Sequence, residues 1–128
     1  MNTIKLLLFI GFAGFAGTLM RYGCVRLASI LFPDFPCGTL IVNVIGAFLA
    51  GFCFVLCRSK FLQYEAYFPV LFIGFLGAFT TFSTYTLESI RFLADAQYGK
   101  FAANILLQNL SGLLAAGCGM FLAKIFFK

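Results

Sequence analysis

Histidine and tryptophan are both missing from this 128-residue chain, and charge is scarce: 10% of residues are charged, only four of them carboxylates. Soluble domains carry about 25% charged residues. That shortfall, beside a hydrophobic share of 62%, excludes an ordinary soluble fold and reads as an all-α membrane protein of one domain. No polar segment is long enough to fold outside a bilayer. Without histidine the chain lacks the commonest general base and metal ligand. It also has no paired carboxylates for acid–base work, so an enzyme is not expected. Without tryptophan, tyrosine and the 19 phenylalanines must serve at the membrane interfaces. The nine basic residues are scattered at the ends of apolar runs, so the net charge of +5 fits headgroup anchoring rather than nucleic-acid binding. No Cys-x-x-Cys pair occurs. Cys24, Cys37, Cys53, Cys57 and Cys118 read as small apolar residues, and no redox compartment follows from them.

What is present is four apolar spans, over residues 4–32, 39–57, 66–93 and 101–127. Lys5 and the apolar run behind it could pass for a signal peptide, but the pattern resumes past Arg21 and favours a span. Gly11, Gly14 and Gly17 make a small-residue face on the first span, which lets another helix approach closely. Arg21 lies near the far headgroup region, as an anchor or as a charge that gathers anions at a vestibule. Pro33-Asp34-Phe35-Pro36 is a turn. The second span carries one prominent polar side chain, Asn43, beside small residues Gly46, Ala47, Ala50 and Gly51. The fourth places Asn104, Gln108 and Ser111 at helical spacing, a polar stripe that must face protein or water.

The third span holds the feature that demands explanation. After Gly74 and Gly77 come five serine and threonine hydroxyls in seven residues: Thr80, Thr81, Ser83, Thr84 and Thr86. Lipid offers no partners for hydroxyls or for backbone freed from a helix, so such a segment survives only inside protein or beside water. The pattern predicts two half-helices joined near the midplane, an arrangement that aims helix ends and free carbonyls at ions. An intact helix with hydroxyls bonded back to carbonyls is the plainer reading.

Loop charge leaves the orientation open. Lys5, Arg58, Lys60, Lys124 and Lys128 fall on one side of the four spans, and Arg21, Arg26, Arg91 and Lys100 on the other. Such a weak bias allows insertion both ways up. An antiparallel homodimer would then bring two copies of the broken span together, and their carbonyls could replace the water around a hard monovalent cation.

The run Gly38-Thr39-x-x-Val42-Asn43-x-x-Gly46, followed by Gly74-Phe75-Leu76-Gly77-x-x-Thr80-Thr81-Phe82-Ser83-Thr84, resembles the Fluc, or CrcB, family of fluoride channels. Gly14-x-x-Gly17-x-x-x-Arg21-Tyr22 fits as well, and the likeness covers essentially the whole chain. The resemblance implies a dual-topology antiparallel homodimer with two fluoride pathways in a bacterial cytoplasmic membrane. It implies passive fluoride efflux and a structural sodium ion held by the backbone carbonyls of Gly77 and Thr80. It implies that Asn43 donates to fluoride and that Phe82 presents its ring edge. The second aromatic falls at Tyr85, where the usual residue is Phe, so this chain adds a hydroxyl there. Thr39 and Glu88 match vestibule positions, and Gln108 and Ser111 match a polar track loosely. The residues agree with that chemistry. Ser83 and Thr84 offer hydroxyl donors, and ring edges are positive, so they can touch an anion without trapping it. A proton-coupled multidrug exporter is the alternative, but the first span has no acidic residue and Glu88 sits toward a span end.

Overall fold

The computed structural model describes residues 2–59 and 62–127. Lys60 and Lys128, counted above among the loop charges, lie outside them. Helix α1 (Thr3–Leu31) opens on Asn2, whose side chain accepts from the Ile4 amide at 3.2 Å. It stops where Pro33 forbids helical geometry to the residue before it. Helix α2 (Cys37–Ser59) starts directly after Pro36. A 3₁₀ turn (Leu62–Tyr67) leads into a π-helical stretch (Val70–Leu76) and a last turn α3 (Gly77–Phe79). The chain then leaves helical geometry at Thr80 and Thr81 and resumes as α4 (Phe82–Ala94). Helix α5 (Tyr98–Phe126) follows after three residues. In that turn Ala96 has φ 55°, a left-handed position where glycine is usual, and the Gln97 amide closes on the Phe92 carbonyl at 2.8 Å.

Four helical stretches (Thr3–Leu31, Cys37–Arg58, Glu65–Ala94 and Tyr98–Phe126) are long and apolar enough to cross a membrane. Burial agrees with a lipid solvent. Large apolar side chains such as Phe12, Phe15, Ile30, Leu113 and Phe126 lie on the outside. Glycines aside, the buried set among the described residues is instead half polar: Thr39, Thr81, Ser89, Asn104 and Gln108 lie beside Ala28, Val42, Leu76, Phe79 and Ala123. The chain is therefore a multi-pass membrane protein whose interior is organised by polar contacts.

Small residues set the helix distances. Helices α2 and α5 share the most extensive packing, and they approach closely where Gly51 meets the Ala116 carbonyl and Gly119 meets the Phe48 backbone. A methyl at Gly119 would run into the Phe48 carbonyl and lie 2.9 Å from the Phe52 nitrogen, both backbone atoms that cannot swing aside. Gly119→Ala is expected to cost about 1–3 kcal/mol, the range for overpacking a tight interface. A lower thermal midpoint in detergent, read by loss of monodispersity, checks this. On α1, Gly14 and Gly17 receive the π-helical stretch and α3, with Gly17 against the Phe75 and Phe79 backbone. Gly11, part of the same sequence face, meets nothing within 4 Å. The five cysteines are free, four of them half-buried and Cys118 exposed, so they line helix surfaces rather than a core.

Candidate anion pathway at the helix break

The break sits at Thr80-Thr81, after the glycines rather than at them. Both residues are extended (φ −87°, ψ 162° and φ −152°, ψ 114°). Extended backbone inside a membrane helix leaves peptide groups bare, and Asn43 takes up those of Thr81. Its Oδ1 accepts from the Thr81 amide at 2.8 Å, and its Nδ2 donates to the Thr81 carbonyl at 3.1 Å. One primary amide thus satisfies both backbone groups of one residue, as a neighbouring strand would. Its second Nδ2 hydrogen goes to Gln108 Oε1 at 3.0 Å. Asn43 is thereby committed to the break: both of its N–H groups already have protein acceptors.

Thr81 caps the second half-helix. Its Oγ1 accepts from the Thr84 amide at 3.2 Å and donates to Thr84 Oγ1 at 3.0 Å, with Ser83 Oγ 3.3 Å away. A Ser or Thr oxygen on the amide three residues on is the usual N-cap. These bonds have a consequence upstream. In an unbroken helix the Thr81 amide would bond the Gly77 carbonyl, and the Thr84 amide would bond that of Thr80. Here the first is on Asn43 and the second on Thr81 Oγ1. The carbonyls of Gly77 and Thr80 are thus released from their helical donors. Thr80 itself bonds back to the Leu76 carbonyl at 2.9 Å, and its methyl lies against Gly46. Asn43, Gly46, Gly77, Thr80, Thr81 and Phe82 line one open groove of about 400 Å³.

On the other flank, Gln108 is buried and its Nε2 has no hydrogen-bond partner among the described residues. A buried donor without an acceptor is costly unless something fills the place. One turn earlier Asn104 donates to Ser89 Oγ at 3.0 Å, and Ser89 donates to the Tyr85 carbonyl at 2.9 Å. Phe82 is 78% exposed, at the tip of α4 and edge-on to Tyr85, with ring centroids 5.6 Å apart. Ser111, placed in the same stripe by spacing, instead turns its hydroxyl back onto the Leu107 carbonyl and lines an apolar groove with Leu40, Ile41, Val44 and Ile45.

The proposed vestibule residues separate in the same way. Thr39 donates to Glu88 Oε1 at 2.6 Å, while Glu88 Oε2 is buried without a partner among the described residues. This pair sits in a cavity of about 380 Å³ at the α1–α2 turn, with Arg91, Asp34 and Asp95 also on its walls. Arg21 does not line it. Arg21 is half-buried on α1 and makes no hydrogen bond or ion pair among the described residues.

Sequence spacing alone does not single out Thr81 or Asn109. Thr81 is one hydroxyl among several in the sequence, and the fold makes it the cap of α4. Asn109 lies off the Asn104–Gln108 stripe, and only the fold brings it to Tyr85.

Comparison with known proteins identifies the family. The family described as CrcB-like protein, Camphor Resistance (CrcB), matches residues 8–120. The "Fluoride-specific ion channel FluC" of Campylobacter jejuni subsp. jejuni serotype O:6 is 40% identical over 126 residues, covering 94% of this chain and 99% of its own. The protein of that name from Solidesulfovibrio magneticus is 41% identical over 118 residues, covering 91% and 94%. That from Legionella pneumophila (strain Lens) is 37% identical over 116 residues, covering 90% and 87%. With likeness running over almost the full length, through the break and its latch, the chain belongs to the Fluc/CrcB family.

Proposed function

We propose that this chain is a fluoride channel that lets the anion leave the cytoplasm passively across the bacterial inner membrane. Family membership places it among non-catalytic transporters. The observation that carries the reading is the buried Gln108 Nε2, a donor without an acceptor at the end of the Asn43 latch. Fluoride is small and holds its water strongly, so a pathway must offer closely placed donors as that water is shed. Gln108 supplies an N–H, Thr84 supplies a hydroxyl, Ser83 supplies a second once it turns from Thr81, and the Phe82 edge supplies positive C–H groups. None carries a full charge, so the ion is attracted without being held fast.

The functional unit in this reading is an antiparallel dimer. Phe82, on the outside of one chain at the polar break, would be covered by the second copy, and the open groove beside it would close. The released carbonyls of Gly77 and Thr80 would then face their own counterparts. They fit sodium by chemistry, being uncharged oxygens freed of helical donors. A sodium ion there would supply fixed positive charge and tie the two copies together.

The test is efflux from proteoliposomes read with a fluoride electrode. Fluoride should leave rapidly while chloride, measured in parallel, is retained. Equal loss of the two anions would remove the selectivity from the reading. Exchanging sodium for a bulky organic cation during purification is expected to lower the dimer fraction and the flux together, and indifference would remove the axial ion.

A further inference from the structure

We infer that the Tyr85 hydroxyl is a hydrogen-bond donor to the passing anion, and that Asn109 is the residue that aims it. This rests on the fluoride-channel reading above. Asn109 Nδ2 donates to Tyr85 Oη at 3.1 Å and also to the Ile105 carbonyl at 2.7 Å. The second bond decides the sense of the first. Were the amide turned over, its oxygen would face the Ile105 carbonyl, acceptor against acceptor, so the nitrogen must face the phenol. The phenol oxygen is then the acceptor, and its single proton is left over. Nothing among the described residues accepts that proton. A phenol in contact with an amide N–H therefore presents its own O–H outward, and the bond it accepts strengthens it as a donor.

The place matters as much as the polarity. Tyr85 stands edge-on to Phe82, one turn along α4 from the exposed ring and beside Ser83 and Thr84. An ion passing from the Phe82 edge along this face meets an O–H where a phenylalanine would give only C–H groups. An O–H donor to an anion is much the stronger of the two. The chain thus differs from one carrying Phe at this position in how tightly it holds the ion, and Asn109 is a positioning residue acting through Tyr85.

The experiment measures fluoride flux against fluoride concentration in proteoliposomes of the full chain. Tyr85→Phe is expected to raise the half-saturating concentration about tenfold, the lower end for a hydrogen bond to a charged group, without lowering the maximal flux. Asn109→Leu keeps the hydroxyl but loses its aim, and the half-saturating concentration should rise about threefold. Combined with Tyr85→Phe, Asn109→Leu should add nothing, because its effect passes through the phenol. Should Asn109→Leu fail to yield a monodisperse protein, Asn109→Ala serves in the same cycle. A half-saturating concentration for Tyr85→Phe within twofold of the parent overturns the proposal, as does an Asn109 effect that persists without the hydroxyl. Absence of fluoride flux in the parent protein would instead overturn the channel reading itself.

Discussion

Asn43→Leu is expected to stop fluoride flux, to below about a hundredth of the parent rate, and to lower stability at the same time. The side chain is nearly isosteric, but three hydrogen bonds disappear with it: two to the backbone of Thr81 and one to Gln108. The buried Thr81 amide and carbonyl would be left bare, at about 1–3 kcal/mol for each unsatisfied group. The chain can escape that cost only by re-forming helix through Thr80 and Thr81. Doing so would hand the Gly77 carbonyl back to the Thr81 amide and close the groove. Asn43→Asp separates the two roles. It keeps the acceptor for the Thr81 amide but loses both donors and adds a negative charge that repels anions. It should therefore conduct no better than Asn43→Leu, and its stability should gain nothing, because the lost donors leave carboxylate oxygen facing the Thr81 carbonyl and Gln108 Oε1. Flux by fluoride electrode and thermal midpoint by size-exclusion after heating give both quantities. Parent-like flux in Asn43→Leu would show that the break stands without its latch.

Phe82→Ile should also remove flux, by a hundredfold or more, but leave the fold alone. Phe82 makes no hydrogen bond through its side chain and is 78% exposed in one chain, so its removal leaves no packed core to collapse. What is lost is the positive ring edge standing at the polar break beside Tyr85. Isoleucine offers similar bulk and no such edge. Monodispersity and thermal midpoint should stay near those of the parent while fluoride efflux disappears. If efflux persists at the parent rate, the ring serves packing between copies and not the ion. The contrast between the two variants is informative in itself: in the proposed channel Asn43 acts through the backbone it holds, and Phe82 would act through the ion.

Much of this is legible in residue order because membranes impose simple rules. Four apolar runs give four helices, and a cluster of hydroxyls within one of them demands a break or a watery neighbour. The position of the break is less legible. Gly74 and Gly77 stand out as weak helix formers, yet both stay helical, in the π stretch and at the start of α3. Gly74 is there for close approach to Ile10 and Ala13. The helix ends at Thr80 and Thr81 because Thr81 can cap α4 and Asn43 can replace the lost ladder, and the second condition is set 38 residues away. The partners of Asn43 are likewise legible only in the fold. Its amide chemistry suggests an anion donor, but only the fold shows that Thr81 and Gln108 already occupy both hydrogens. The unpaired donor moves one residue along that chain, to Gln108. Spacing places Ser111 on the same stripe as Gln108, but a serine in a helix can bond its own backbone, and here it does.

The latch also has a temporal meaning. Asn43 belongs to α2 and is synthesised well before Thr81, so the partner for the broken backbone is already in place when the break leaves the ribosome. Gln108 comes last, on α5. An insertion pathway that takes the helices in order therefore never needs to expose the Thr81 peptide groups to hydrocarbon alone, and it forms the unpaired donor only in its final step. A circular permutation that moved α2 behind α5 would keep every contact of the finished protein and reverse that order, leaving the break to enter the bilayer with nothing to receive it.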